Sequence, residues 1–333
     1  MINDNSNSNG NNDLRLNEVK EEIDELKRKK ETRAYILFVF TQLLRTIQGL
    51  QLKSFFSLYS SIYDLNSFVF WRHLGIASTA YLFIIYKKIK FTYPSQIHYK
   101  IWFYIRNVGI YICINTWMKS LSIFRLSTCQ ILSGVNPLMT IIFSIIFLKE
   151  KFRIIYFIGI IICFIGSLII ILNERKLEEV KTNNNNSAGN IFIGILSITI
   201  NVNLNSLGNV GVKFLCNEHL TPEVQTFYFG FYSVIISCFF CLINLKFGLS
   251  NFYYMLYAYA NGIIFFFCNY FTSVSFQYIE ISKLQPVAFL SSILIILSGT
   301  IIFKERLFFS DILAATMIIG FIIYNGMHRP KSK

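Results

Sequence analysis

The sequence predicts an all-α membrane protein with ten transmembrane helices, arranged as two inverted repeats of five helices. Three observations lead to this prediction. More than half of the 333 residues are hydrophobic (54%) and 17% are aromatic, which is unusual for a soluble domain of this size. Several apolar runs reach ~18 residues, enough to cross a bilayer as a helix. One pattern of apolar run, charged turn and apolar run also occurs twice, about half the chain apart.

The two copies of this pattern define the repeat. Leu126–Leu172 contains two apolar runs separated only by the charged segment Lys149–Arg153. Leu284–Tyr324 is organised in the same way around Lys304–Arg306, and Glu305 follows Glu150 by 155 residues. A break this short forms a tight turn between antiparallel helices. Because five spans per half is an odd number, the second copy must insert inverted relative to the first.

Ten apolar runs are predicted as spans, in chain order. Those of the first half are Ala34–Leu52, Phe68–Tyr86, Ile101–Met118, Leu126–Leu148 and Ile154–Leu172. Those of the second half are Ile191–Leu215, Val224–Leu245, Phe252–Tyr278, Leu284–Phe303 and Leu307–Tyr324.

Composition divides the chain into five segments. Residues 1–33 form a polar tail, rich in Asn and Ser and then in charge, that favours a surface helix over a hydrophobic targeting core. The first repeat covers 34–172 and the second covers 191–326, and a basic tail follows at 327–333. Residues 173–190 are too rich in Asn and charge to bury a core and are predicted to be a flexible linker.

The distribution of Lys and Arg predicts the orientation. With the N-terminus in the cytoplasm, the cytoplasmic side receives the basic segments Lys27–Arg33, Lys87–Lys100, Lys149–Arg153 and Arg329–Lys333. The opposite side receives scattered basic residues, so positive charge favours both termini in the cytoplasm. An even number of spans agrees with this orientation, and the sequence does not say which membrane holds the protein.

The repeated motifs resemble the paired EamA-type repeats of the drug/metabolite transporter superfamily, which includes solute carrier 35-like proteins. In the first copy the resemblance rests on Pro137, Leu148-Lys149-Glu150, Gly159 and Gly166; in the second it rests on Pro286, Phe303-Lys304-Glu305 and Gly320. It covers most of residues 34–328. It implies a secondary transporter built from two inverted five-helix repeats around a central site. Triose-phosphate members of the superfamily typically carry a Lys-Arg pair in the ninth span, whereas Leu294–Leu297 here is wholly apolar.

No signature of catalysis, metal binding or ATP hydrolysis is found in the sequence. There is no Walker lysine loop, the four histidines are scattered, and Cys238 and Cys241 have metal-ligand spacing without a second pair nearby. No nucleic-acid motif accompanies the net charge of +13. We therefore expect no enzyme activity, no cofactor, no metal and no nucleic-acid partner. The expected partners are lipid and a small-molecule substrate, and a homodimer is left open.

Three arginines inside the predicted spans are the first candidates for a substrate cavity. Arg45 lies about 11 residues into the first span, or ~16 Å deep at ~1.5 Å per residue, where a charge needs a cavity or a partner. In the alternative interpretations, Arg45 donates hydrogen bonds to backbone carbonyls or extends its side chain to the headgroups. Arg72 and Arg106 lie near span ends, from which a long side chain reaches the headgroups. The resemblance raises both as cavity or gate candidates, because related transporters often have an arginine near the start of these spans.

Polar residues in apolar runs are the second set of candidates. Asn201 and Asn205 are four apart and share a helix face, which Asn209 extends. They line a cavity or join helices. The remaining candidates are Asn115, Gln130, Asn136 and Gln285, of which the last three lie in spans four and nine. Pro137 and Pro286 are predicted to break these two spans locally and free carbonyl groups.

Glu150 and Glu305 lie in the two charged turns. A carboxylate there caps the free amides at the N-terminus of the next helix, and an ion-pair gate is the alternative.

The predicted function is secondary transport of a small polar metabolite or drug-like solute by alternating access. The alternatives are a structural or regulatory membrane protein that keeps the fold without transport, and an antiporter of the nucleotide-sugar or phosphate type. A dry interior around Arg45 would favour the non-transporting protein, whereas a cavity with converging polar groups would favour the transporter.

Overall fold

The structure is a computed structural model that describes residues 7–59, 65–124, 128–129, 132–150, 165, 187–245, 247, 251–302, 309, 312–313, 316 and 320. All regular secondary structure in these residues is helical. The long helices are α1 (Asn7–Tyr59), α2 (Leu65–Tyr86), α3 (Ile97–Ile123), α4 (Asn136–Leu148), α5 (Ser187–Asn217), α6 (Pro222–Asn244), α7 (Phe252–Tyr278) and α8 (Ile281–Ile302). A 3₁₀ turn, Ser133–Val135, precedes α4.

Most helices begin and end within a few residues of the predicted spans, because long apolar runs define them. Helices α1 and α4 are the exceptions. Helix α4 begins at Asn136 instead of near Leu126, and α1 begins at Asn7 instead of near Ala34. The Lys, Glu and Leu residues of the polar tail are strong helix formers, and no proline separates them from the first span. The predicted fifth span apart from Ile165, most of the tenth, and linker residues 173–186 lie outside the described residues.

The two predicted proline breaks have different outcomes. Pro137 lies in the first turn of α4, directly after the 3₁₀ turn, so the fourth span is interrupted there. Proline is well tolerated at this position because the first helical N–H groups have no partner in the helix. Helix α8 instead continues through Pro286, so the prediction of a break at that residue is wrong. A proline here removes one backbone donor, and that loss does not end the helix.

Three of the described helices are long and apolar enough to cross a bilayer: Leu65–Tyr86, Gly189–Asn217 and Pro222–Asn244. A shorter apolar stretch covers Ser133–Leu148. These lengths and compositions agree with an integral, multi-pass membrane protein.

The helices of the two halves pack against each other symmetrically: when each helix is replaced by its counterpart in the other half, the same contacts result. In chain order, α1 to α4 correspond to α5 to α8. Helix α1 packs on α7 and α8, and its counterpart α5 packs on α3 and α4. Helix α2 packs on α7, and α6 packs on α3; the pairs α2–α6 and α4–α8 map onto themselves. Two equivalent halves related by a pseudo-two-fold axis would give this pattern. The inverted ten-helix repeat itself stays a prediction.

Glycines bring α2 within backbone contact of the second half. A Cβ added at Gly75 would lie 2.4 Å from the Tyr259 carbonyl oxygen, and one at Gly262 would lie 2.0 Å from the Arg72 carbonyl oxygen. A Cβ at Gly230 of α6 would lie 2.8 Å from the Ala77 nitrogen. These small residues let helices from different halves approach closely, as small residues do in membrane proteins. The contacts also fix the position of the α2 backbone at Arg72.

Polar contacts join the halves at both ends of the helix bundle. At one end, called here the Lys87 face, Lys87 Nζ lies 2.6 Å from Glu223 Oε1 and 2.7 Å from the Tyr270 hydroxyl. Although partial burial lowers the pKa of Lys87, these two hydrogen bonds outweigh it and the pKa is raised. At the other end, called the Phe247 face, Trp71 donates to the Phe247 carbonyl at 2.8 Å. The chain therefore alternates between the two faces, as successive spans require.

Candidate functional site

A central cavity of about 210 Å³ lies where the two halves meet. Residues from α1, α2, α3, the 3₁₀ turn and α4 line it from the first half, and residues from α5, α7 and α8 line it from the second half. Polar side chains from nearly all of these elements converge on it: Arg45, Gln48, Arg72, Ser133, Asn136, Asn201, Asn205, Asn209, Asn269, Thr272, Ser273 and Ser291.

Arg72 is the most deeply buried charge of this cavity. Its side chain is 2% exposed. The guanidinium carbon lies 4.3 Å above the centre of the Phe265 ring, in a cation–π contact. Its Nε atom has no hydrogen-bond partner within the described residues. Helix α2 begins at Leu65 and packs on α6 and α7, so Arg72 points into the bundle. The expectation that it snorkels to the headgroups is therefore wrong.

Arg45 lines the same cavity from α1. It is half-buried, and its Nη2 atom donates a long hydrogen bond of 3.4 Å to Thr272 Oγ1. Two guanidinium groups from neighbouring helices of the first half thus face one space, beside Cys268 and Thr272 of the second half.

Three asparagines of α5, Asn201, Asn205 and Asn209, line the cavity, but their environments differ. Asn201 Nδ2 donates to the Cys113 carbonyl at 2.8 Å, which joins α5 to α3. Asn136 Oδ1 accepts a hydrogen bond of 2.7 Å from Ser206, which joins α4 to α5. Asn205, between these two contacts, and Asn209, one turn further along α5, also line the cavity. The stripe of four-residue spacing therefore combines helix–helix contacts with polar groups that face the cavity.

Several buried donors of the cavity wall have no partner within the described part of the chain. They are Gln48 Nε2, Ser133 Oγ and Ser273 Oγ, in addition to Arg72 Nε. A buried polar group without a hydrogen bond costs about 1–3 kcal/mol. A polar ligand in the cavity would satisfy these four groups.

The electrostatic character of the cavity is positive. Its described lining contains two arginines and neither Asp nor Glu. The spans α2, α3, α5, α7 and α8 contain no carboxylate between their ends, nor does the part of α1 from Ala34 onward. An arginine within a bilayer costs several kcal/mol unless it is paired or faces a polar cavity.

The structure places other predicted site residues elsewhere. Arg106 is 1% exposed, lies outside the cavity and donates to Gln225 Oε1 of α6. Asn115 donates to the Tyr111 carbonyl one turn earlier, and Gln285 is buried on α8 outside the lining. Gln130 and Glu305 lie outside the described residues.

Glu150 caps a helix, though not the one expected. Its Oε1 accepts from the Ile281 backbone N–H at 3.3 Å, and its Oε2 accepts from that of Ser282 at 3.4 Å. The turn of the first half therefore holds the N-terminus of α8 in the second half. The next helix along the chain lies outside the described residues, so the predicted cap of that helix stays a prediction.

An apolar cluster separates the cavity from the Lys87 face. It includes Phe38, Trp102, Val210, Phe276 and Leu284, which all lie on the Glu150 side of the arginines along their helices. Cavity-lining residues such as Arg72, Trp117 and Ser133 lie towards the Phe247 face instead. The apolar cluster therefore lies between the cavity and the Lys87 face.

Sequence reasoning missed several lining residues, namely Gln48, Trp117, Ser133, Thr272, Ser273 and Ser291. Single Ser and Thr residues in an apolar helix often bond their own backbone, as Ser291 does to the Ala288 carbonyl. The spacing of Gln48 by three residues from Arg45 was the available signal, because both share one face of α1.

Comparison with known proteins agrees with the motifs. Residues 34–172 match the model of the EamA-like transporter family. The first half of the chain is therefore similar to this family over residues 34–172. This confirms the resemblance to the drug/metabolite transporter superfamily. An integral, multi-pass membrane protein fits both this match and the apolar helices. Transporters of this kind are not enzymes, which fits the absence of a catalytic signature in the sequence.

The fold of the chain is shared with solved structures. One of 28 matching chains, described only as the crystal structure of a protein, aligns with 89% of this chain and 98% of its own length. The TM-score is 0.67 at 12% sequence identity, which establishes likeness of fold alone. No curated protein matches the chain.

Proposed function

We propose that the protein is a secondary transporter that moves a small polar solute across its membrane by alternating access. The observation that carries the proposal is the central cavity, which is lined from both halves and into which two arginines and several amides converge. A binding site at the boundary between two repeats is the arrangement from which alternating exposure arises. The EamA-like first half supports the same conclusion.

Cavity chemistry favours transport over a purely structural role. A protein that kept the fold without transport would be expected to fill its interior with apolar side chains. Here Gln48, Ser133 and Ser273 instead keep buried polar atoms without partners in the described chain. The cavity volume indicates a small solute. At ~30 Å³ per water, 210 Å³ holds about seven waters. That space suits a metabolite of amino-acid size.

Alternating access requires that both faces open in turn. The matching helix contacts of the two halves support two equivalent halves. Rocking of one half against the other would expose the cavity to each side of the membrane in turn. In the conformation described here, the apolar cluster lies between the cavity and the Lys87 face. The positive-inside rule favours a cytoplasmic Lys87 face, so in this proposal the cavity lies nearer the opposite side of the membrane.

Uptake into proteoliposomes tests the proposal. Purified wild-type protein is reconstituted and screened with pooled, labelled small metabolites, beside Arg45→Gln and the surface control Lys119→Gln. Saturable uptake by wild type and control, reduced at least about tenfold in the cavity variant, is expected. Folded protein that moves none of the pool, in uptake or in counterflow, would overturn it.

A further inference from the structure

We propose that the central cavity selects a small organic anion whose carboxylate or phosphate group pairs with Arg72 and Arg45. This inference rests on the proposed function, because it names the substrate class of the same cavity. It goes further in predicting that charge decides which solutes are bound.

Charge balance is the first argument. Both arginines line the cavity, and neither Asp nor Glu does so within the described residues. The guanidinium group of arginine stays protonated under physiological conditions. A bound anion would therefore supply the negative charge that the described wall lacks, whereas a cationic solute would be repelled.

The geometry of Arg72 is the second argument. The residue is 2% exposed, and its guanidinium carbon lies 4.3 Å from the centre of the Phe265 ring. This cation–π contact fixes the position of the guanidinium group beside the cavity. A guanidinium edge matches carboxylate and phosphate oxygens in a paired, bidentate arrangement. The Nε atom lacks a described partner, in agreement with such an acceptor being the ligand.

The remaining wall is the third argument. Gln48 Nε2, Ser133 Oγ and Ser273 Oγ are buried groups able to donate a hydrogen bond, and they lack partners in the described structure. Asn205 and Asn209 add amides on the α5 side. Donors in excess of acceptors suit the oxygen atoms of an anion and of hydroxyl groups beside it. The volume of about 210 Å³ limits that anion to roughly the size of a hydroxy acid or sugar-like monophosphate.

Thermal unfolding with matched solutes tests the inference. The full chain in lipid nanodiscs is heated with a panel of short-chain hydroxycarboxylates, their carboxamides of the same shape, and monophosphate esters of the same alcohols. We expect one or more anions to raise the unfolding temperature, and the matched carboxamides to leave it unchanged. Stabilisation by the acids alone assigns a carboxylate, and stabilisation by the esters alone assigns a phosphate.

Variants assign the selectivity to the arginines. Arg72→Gln should weaken binding of the stabilising anion at least about tenfold, as loss of a charge-assisted pair does, while Lys119→Gln should not. Arg45→Gln serves as a second variant where Arg72→Gln fails to fold. Equal stabilisation by acid and amide, stabilisation by no anion, or unchanged affinity in both variants would overturn the inference.

Flux measurements separate this inference from the proposed function. Proteoliposomes are assayed with the same panel. Anion binding without flux would contradict transport and leave the anion site standing. Saturable flux of a carboxamide in preference to its acid would keep the transporter and contradict the anion site.

Discussion

Asn201 and Asn205 lie one turn apart on α5 and line the same cavity, yet their side chains have different environments. Asn201 donates to the Cys113 carbonyl of α3 at 2.8 Å, whereas Asn205 is half-buried at the cavity wall. An alanine scan should therefore separate stability from transport at these two positions.

We expect Asn201→Ala to lower stability by about 0.6 kcal/mol, the average for such interhelical hydrogen bonds, and to leave uptake largely intact. Asn205→Ala should leave the unfolding temperature within error and reduce uptake. Thermal unfolding and proteoliposome flux measure the two effects. A loss of stability in Asn205→Ala equal to that in Asn201→Ala would show that both amides serve only as helix–helix contacts.

Individual glycines determine how closely the backbones of helices from the two halves approach each other. Gly262→Ala would place a methyl group 2.0 Å from the Arg72 carbonyl oxygen, so α2 and α7 must separate. Overpacking typically costs about 1–3 kcal/mol, and we expect a loss of that size together with reduced uptake through displaced Arg72.

Gly109→Ala on α3 is the matched control for that substitution. Its added methyl would lie 3.7 Å from Leu204 Cδ2, an ordinary contact, and alanine is the better helix former. We expect unchanged or slightly raised stability, measured by the unfolding temperature of both variants. Equal effects of the two substitutions would contradict the backbone contact between α2 and α7.

At the scale of elements, Glu150 holds the start of α8. A carboxylate at a helix N-terminus contributes about 0.3–1 kcal/mol, so Glu150→Gln should shift the balance of conformations about two- to fivefold towards opening of the Lys87 face. The measurement is alkylation of a thiol introduced by Ala288→Cys at the cavity wall, using a membrane-impermeant reagent applied at the Lys87 face.

Glu280→Gln provides the control for this experiment. Glu280 lies at the same helix start, but it is exposed and pairs with Lys283 at 3.1 Å. Its loss should leave alkylation at the wild-type rate. Slower alkylation in Glu150→Gln than in wild type would show that Glu150 does not hold this face closed.

Elements were predicted well where one physical property defined them. Apolar runs gave the spans now seen as α2, α6, α7 and α8 to within a few residues, because a bilayer tolerates little else. Pro137 marked the interrupted start of α4. The continuous α1 was missed because its first half is polar, and hydropathy does not report helices that lie outside lipid.

Site residues were harder to predict, because a cavity is a property of how helices face one another. The spacing of Asn201, Asn205 and Asn209 on α5 indicated one face, and Arg45 was deep enough to need a partner. Distance from a span end was misleading for Arg72 and Arg106, since both are buried in the bundle. Only the packing of the helices distinguishes their environments. Helix α7 brings Phe265 to Arg72, whereas α6 brings Gln225 to Arg106.

For the whole molecule, the orientation in the membrane follows from charge. Basic segments concentrate at the Lys87 face, so we expect both termini in the cytoplasm. Epitope tags at each end should be reached only by antibody that has access to the cytoplasm. Detection of either tag on the opposite side would contradict this topology.

The contact between Gly75 and Gly262 has a mechanical consequence for the whole molecule. Helices α2 and α7 belong to different halves, and here they touch through main chain instead of flexible side chains. Main-chain atoms cannot slide past each other by changing rotamer. A rocking motion of the two halves would therefore keep this point as its fulcrum, with the arginine three residues before Gly75 close to the pivot. Side chains near a fulcrum travel least, so Arg72 would hold its place while the two faces open and close around it.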